Sequence, residues 1–209
     1  MGATLAIFVP SLNRPKSLKR LVENIRENTT VTHNMYFVIS DDESAEILDD
    51  LGVNFWRDSG GTWIERNNFM YKHTKEPYIF LGSDDLDFKP DWDVIALKVM
   101  EEVDGVVPVN DLHNPNGTSA MVSRNYIDTM SGCVDTEGVI TYPGYHHNFA
   151  DTELFRTAES RHRFKYATNS IVEHLHPSAE KSKTDDTYKR AESFITQDKE
   201  LFNNRSNLW

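Results

Sequence analysis

Residues 78–88 read Tyr78-Ile79-Phe80-Leu81-Gly82-Ser83-Asp84-Asp85-Leu86-Asp87-Phe88. Four large apolar residues after Pro77 have the composition of a buried strand. Gly82 and Ser83 release the chain into a tight turn, and three carboxylates follow. Carboxylates crowded at the exposed end of a buried strand repel one another and lose hydration, and a divalent cation offsets both effects. Hard oxygen ligands suit Mg2+ or Mn2+, which commonly bridge to phosphate oxygens. The stretch predicts a metal–diphosphate site at the carboxyl end of a sheet strand, where open α/β sheets bind ligands. The competing reading is an acidic loop capping the next helix, since Asp91 and Asp93 follow closely.

The flanks set this strand in an alternating pattern. Thr4–Val9 is a second apolar run, followed by a turn over Pro10–Pro15. With Ser17 as N-cap, Leu18, Leu21, Val22 and Ile25 predict a helix over Lys16–Glu27. Met35–Ser40 is a strand ending in Asp41-Asp42-Glu43, and Ser44–Leu51 is a short helix closed by Gly52. Val53–Trp56 is a short strand, and Thr62–His73 and Trp92–Glu102 have helical character. Strand alternating with helix argues for a parallel α/β sheet. The usual crossover hand sends Asn13 and Arg14, Asp41 and Asp42, and Asp84 and Asp85 to one sheet edge.

Beyond residue 105 the pattern loosens. Val106–Val109 and Ser119–Val122 are strand candidates around a loop over Asn110–Thr118. Ser131–Gly144 is Gly-rich and reads as flexible, and Asp151–Ala158 reads as a helix. Ser170–His174 is a strand whose extension puts His174 and His176 on one face. Tyr188–Phe202 reads as one terminal helix.

The length of 209 residues fits one domain with a small appendage. A net charge of -11 disfavours long-range attraction to nucleic acid or anionic membrane. The charge is uneven: residues 1–155 hold 12 basic and 25 acidic side chains, residues 156–190 hold 8 and 5, so a local basic face is an open option. The single cysteine, Cys133, excludes an internal disulfide, fits a reducing cytosol and reads as structural. The start has no cationic segment before its apolar run, and that run is too short to span a membrane. A cytoplasmic protein without membrane insertion is expected.

Taken in order, FVPSLNRP (8–15), VISDDES (38–44), GGTWIERNNFMYKHT (60–74), FLGSDD (80–85), FADTELF (149–155) and IVEHLHP (171–177) form a set. It resembles the motifs of nucleotide-sugar-dependent glycosyltransferases of the GT-A fold, especially family-2-type enzymes. The resemblance implies an α/β fold: a Rossmann-like, mixed, mainly parallel sheet flanked by helices. It implies a domain over 1–177, with a nucleotide-binding half (1–105) and an acceptor half (106–177), and a helical extension over 178–209 packed on it. The short chain also looks like small glycosyltransferases encoded by bacteriophages, which would place it in a host cytoplasm.

The implied activity is metal-dependent, inverting transfer of a sugar from a nucleotide-diphosphate donor, a UDP-sugar, to an acceptor hydroxyl. Pro10 and Arg14 would lie beside the nucleotide, and Asp41, with Asp42, would accept from base or ribose. Both aspartates also suit a helix cap before Ser44. Arg66 and Asn67 match an Arg-Asn pair near the donor, although Arg66 also suits a surface ion pair. Asp84 would contact ribose or sugar. Asp85 and Asp87 would play the Asp-x-Asp part in binding Mn2+ or Mg2+, in a run that allows more than one register. His174, rather than His176, matches the late histidine of the metal site. Asp151 and Glu153 occupy the place of the catalytic base, and both also suit a helix start. Tyr145, His146 and His147 would shape the acceptor pocket. The chain lacks the Gln-x-x-Arg-Trp segment of processive synthases.

Rival readings fare worse. A nucleotidyltransferase needs a Gly-rich phosphate loop, and Pro10–Pro15 has no glycine. An EF-hand starting at Asp85 would need Gly and Glu where Pro90 and Ala96 stand. A catalytically silent GT-A domain that only binds nucleotide-sugar survives. The acceptor is a glycan, a protein or a hydroxymethylated base in DNA. The last would draw on Arg156, Arg161, Arg163, Lys165, Lys181, Lys183, Lys189 and Arg190.

Overall fold

The run Thr4–Val9 becomes strand β1 (Leu5–Pro10), with all six residues buried. Its alternate side chains serve two different cores. Leu5, Ile7 and Val9 face one hydrophobic cluster, Ala6 and Phe8 another, which is why the run is apolar throughout. The computed structural model describes residues 4–114 and 117–209. Pro115 and Asn116, within the loop expected over Asn110–Thr118, lie outside the described residues.

The remaining strands are β2 (His33–Ile39), β3 (Asn54–Arg57), β4 (Tyr78–Leu81), β5 (Leu86–Phe88), β6 (Val106–Asn110), β7 (Ala120–Ser123) and β8 (Ala167–His174). They form one sheet in the order β3-β2-β1-β4-β7-β6-β8-β5. β1, β2, β3 and β4 run parallel, β7 is antiparallel to both neighbours, β6 and β8 are parallel, and β5 is antiparallel to β8. The sheet is therefore mixed and mainly parallel.

On one face pack α1 (Pro15–Asn28), α2 (Asp42–Asp50) and α4 (Trp92–Val103), burying Leu18, Leu21, Val22, Ile25, Leu48, Trp92 and Met100. On the other lie α3 (Trp63–His73), α5 (Arg124–Met130) and α6 (Ala150–Ser160), burying Met70, Tyr71, Tyr126, Ile127, Leu154 and Phe155. A 3-10 turn at Pro177–Ala179 leads to α7 (Asp186–Ser193) and α8 (Ile195–Arg205).

Several local expectations are corrected. α1 starts at Pro15, whose fixed φ suits the first helical position, and the Ser17 hydroxyl donates to the Arg14 carbonyl instead of capping. Leu86–Phe88 is a strand and not an acidic loop. The terminal helix is two helices meeting at Phe194, whose ring stacks on His146 at 4.5 Å. The segment read as flexible is packed: Ser131, Gly132, Cys133, Ile140 and Thr141 are buried. The Asn68 side chain accepts from the backbone of Ile140 and Thr141 at 2.9 and 3.2 Å. Burial pushes the Cys133 thiol up to about 11, so it is inert.

Candidate active site

Gly82 sets the turn after β4. A Cβ there would meet the Phe8 carbonyl oxygen at 2.9 Å, the atom to which Gly82 N–H donates. The Trp63 indole donates to the Gly82 carbonyl at 3.0 Å, fixing the turn from α3. Asp84 then points inward, 3% exposed, and accepts from Ser11 Oγ at 2.6 Å and from the Arg14 guanidinium at 2.9 Å. Arg14 is gripped from its other side by both oxygens of Asp185, at 2.8 and 2.9 Å, and lies 4.0 Å over the Tyr188 ring.

Asp85 accepts from Ser83 Oγ on Oδ1 at 2.5 Å. Its Oδ2 meets Tyr188 Oη at 2.7 Å, His174 Nε2 at 3.2 Å and the Arg14 guanidinium at 3.6 Å. Burial and the neighbouring charge of Asp85 push Asp84 up to about 6. Burial also opposes ionisation of Asp85, but the hydrogen bond and charge of His174, with Ser83 and Tyr188, overcome it and hold Asp85 well below the usual carboxylate range. Within the pair, Asp84 is thus shifted towards its protonated form and Asp85 towards its anion.

These residues open on a cavity of about 460 Å³, lined among others by Pro10, Arg14, Arg66, Asp84, Asp85, Asp151 and His174. Among the described residues no three His, Cys, Asp or Glu side chains form a cluster fit for a metal. Asp85 and His174 offer a two-residue set instead. Their 3.2 Å separation is close to the ~3 Å between adjacent corners of an octahedron with bonds of about 2.1 Å. An ionised carboxylate and an imidazole suit Mn2+, with phosphate oxygens and water to fill the other positions. The residues fit such an ion.

Asp87 does not join them. On β5, Leu86 and Phe88 are buried, and the period-two alternation turns Asp87 the other way. It pairs with Lys89 at 2.6 Å and lies 3.9 Å from Arg20. Glu153 is likewise withdrawn, although it was placed with Asp151 as a candidate base. It is 1% exposed, accepts from Tyr145 Oη at 2.7 Å, and is bidentate with Arg205 at 2.9 and 2.7 Å. A carboxylate so committed has no free oxygen for an acceptor proton.

Asp151 differs. Its Oδ1 accepts from Thr152 N–H at 2.7 Å, and Oδ2 has no hydrogen-bond partner among the described residues. Burial raises its pKa above the ordinary value. Phe149, at φ 66°, is the residue that precedes α6, so Asp151 does not cap that helix.

The remaining expected residues have mainly supporting contacts. Arg66 is 2% exposed, bidentate to Asp58 at 2.8 and 2.6 Å, and donates to the Ser11 carbonyl at 2.7 Å. It braces the first turn from beneath and is not a surface ion pair. Asn67 is buried and donates to the Trp63 carbonyl inside α3. Both oxygens of Asp41 are taken by Ser44 at the start of α2, and Asp42 pairs with Arg57 at 2.5 Å in solvent. The cap reading accounts for Asp41. His176 accepts from Ser178 N–H, and among the described residues it has no hydrogen bond to Asp85.

The C-terminal helices supply what sequence reasoning missed. Asp185 and Tyr188 hold Arg14 and Asp85, Thr187 Oγ1 donates to the Leu12 carbonyl, and Arg190 donates to that of Gly60. Asp198 on α8, fully buried, accepts from the backbone N–H groups of His146, His147 and Asn148 at 2.8 to 3.0 Å and so shapes one cavity wall. The only available signal was the Asp185-Asp186-Thr187 run opening a helix.

Fold and site together define a GT-A glycosyltransferase architecture. Residues 6–172 match Glycosyl transferase family 2, and the chain belongs to that family. No curated protein sequence matches the chain. Solved structures share the fold at low identity. Glucosyl-3-phosphoglycerate synthase from Mycobacterium tuberculosis, in complex with Mn2+ and UDP-glucose, superposes with a TM-score of 0.67 at 11% identity, covering 97% of this chain and 79% of that one. Mannosyltransferase PcManGT from Pyrobaculum calidifontis, with GDP-Man and Mn2+, gives 0.62 at 11%, covering 83% and 57%. S. aureus TarS residues 1–349 give 0.63 at 9%, covering 82% and 59%. The chain thus spans little more than half of the latter two. Among the described residues no helix is long and apolar enough to cross a membrane.

Proposed function

We propose that the chain transfers a sugar from a nucleotide-diphosphate donor, a UDP-sugar, to an acceptor hydroxyl with inversion at the anomeric carbon. The observation that carries this reading is that Asp85, His174 and the uncommitted carboxylate of Asp151 line one cavity. A divalent ion on Asp85 and His174 would neutralise charge on the departing diphosphate. Arg14, already in reach of Asp84 and Asp85, adds positive charge at the same place. Asp151 Oδ2 takes the acceptor proton as the hydroxyl oxygen forms its bond to the anomeric carbon. The carbon–oxygen bond to the diphosphate breaks with its electron pair on the diphosphate. One in-line displacement inverts the centre.

A neutral glycan hydroxyl is favoured over a base in DNA as acceptor. Most of the basic residues that DNA would need already have acidic or carbonyl partners within the chain, several of them at the surface. Arg156 pairs with Glu159, Lys165 with Glu102 and Lys181 with Glu173, while Arg161 and Arg163 donate to backbone carbonyls. Arg161 to Lys165 also lie beyond the far end of α6, about 15 Å of helix from Asp151.

The test is UDP release from UDP-sugars in Mn2+ buffer by the wild type and Asp85→Ala. Turnover lost in the variant supports an enzyme. Binding of UDP-sugar with no turnover, even with a panel of glycan acceptors, would leave the silent binding domain.

A further inference from the structure

His174 meets Asp85 through Nε2, and its other ring nitrogen has a second set of partners. Nδ1 lies 3.3 Å from Thr118 Oγ1, and Thr118 Oγ1 lies 3.1 Å from Asp111 Oδ2. A hydroxyl has one proton, and the carboxylate can only accept it, so the Thr118 oxygen is left to accept from Nδ1–H. Asp111 is fully buried, and its Oδ1 is fixed by the N–H groups of His113 and Asn114 at 2.9 and 2.6 Å. Its carbonyl also accepts from His174 N–H at 3.1 Å. One buried residue thus holds both the backbone and, through Thr118, the ring of His174.

We propose that Asp111 and Thr118 are positioning residues that hold His174 by its Nδ1 proton and keep Nε2 aimed at Asp85. This deepens the proposed metal reading and rests on His174 as a ligand. A ligating imidazole commonly donates its other N–H to such a partner, and loss of that partner lowers metal affinity about 10- to 100-fold. Thr118→Val removes the acceptor at nearly constant shape, and Thr118→Ser restores it.

Two measurements decide the proposal. The first is Mn2+ affinity with UDP present, by titration. Thr118→Val should bind about 10- to 100-fold more weakly and Thr118→Ser within about threefold of wild type. Unchanged affinity in Thr118→Val would overturn the relay. The second is the His174 Hδ1 signal in metal-free protein under mildly acidic conditions, assigned by its loss in His174→Gln. It should be protected from exchange in wild type and Thr118→Ser and lost in Thr118→Val. A missing or fast-exchanging signal in wild type would overturn the proposal even if Thr118→Val does not fold. Should wild type and His174→Gln bind Mn2+ equally, the metal role of His174 fails, while the Hδ1 signal still decides whether Thr118 holds the ring.

Discussion

Tyr188 and Asp85, 103 residues apart in the chain, meet at 2.7 Å, and the phenol donates to the carboxylate oxygen that also faces His174 Nε2. An ion between Asp85 and His174 competes with that phenol for Oδ2. Burial and the charge of Asp85 raise the Tyr188 pKa above its ordinary value, so it is a firm donor and not a phenolate ligand. Tyr188→Phe removes the competitor and keeps the ring under Arg14. A hydrogen bond of about 1 kcal/mol predicts Mn2+ affinity raised roughly fivefold. Titration of both proteins with Mn2+ measures this, and equal or weaker binding by the variant would show that no competition exists.

Metal removal gives the next expectation. EDTA should abolish transfer, and Mn2+ should restore it at least as well as Mg2+, because imidazole is a better ligand for the softer ion. Full turnover in metal-free buffer would remove Asp85 and His174 from that role.

Glu153 and Arg205 form a buried pair, and their replacement should act on stability. Arg205→Ala leaves Glu153 as a buried carboxylate with Tyr145 as its remaining donor and also frees Asp135 and the Tyr142 ring. Breaking such a pair from one side costs about 3–5 kcal/mol. Thermal or urea unfolding should show this, and at a temperature where the variant is folded its turnover should stay near wild type. A large loss of turnover at full folding would return Glu153 to the chemistry.

The parts of this site that were legible in the sequence have local signatures. β4 and its aspartates announce themselves because a buried strand must end where charge begins, and His174 stands at the end of another strand. Asp87 was assigned with Asp85 because three acidic residues look alike in a row. The apolar-polar-apolar run Leu86-Asp87-Phe88 carried the period-two signal that separates them. Tyr188 and Asp198 have no local signature, and the Asp185-Asp186-Thr187 run marks only a helix start. Their roles depend on where α7 and α8 dock, which is a matter of packing and not of helix period. The engagement of Glu153 is illegible for the same reason, since its partner Arg205 lies 52 residues further on.

Asp151 combines a rate prediction with a stability prediction. Asp151→Asn keeps the shape but cannot take a proton, so transfer should fall about 10²-fold or more while UDP-sugar affinity stays near wild type. Burial holds the folded-state pKa above the ordinary 3.8. The base works only when ionised, so kcat/KM should rise with pH through a limb lying above the usual carboxylate range, and Asp151→Asn should lose that limb. The linkage sign is fixed by the same shift. Between the ordinary and the raised pKa the folded chain binds more protons than the unfolded one, so stability falls as pH rises through that window. The contribution is fully present below the ordinary value and lost above the raised one. Asp151→Asn carries no such loss and should unfold at a higher temperature than wild type at neutral pH. Product anomeric coupling by NMR should show inversion. Retained configuration, near-normal transfer by the variant, or donor binding lost in parallel would each show that Asp151 is not the base.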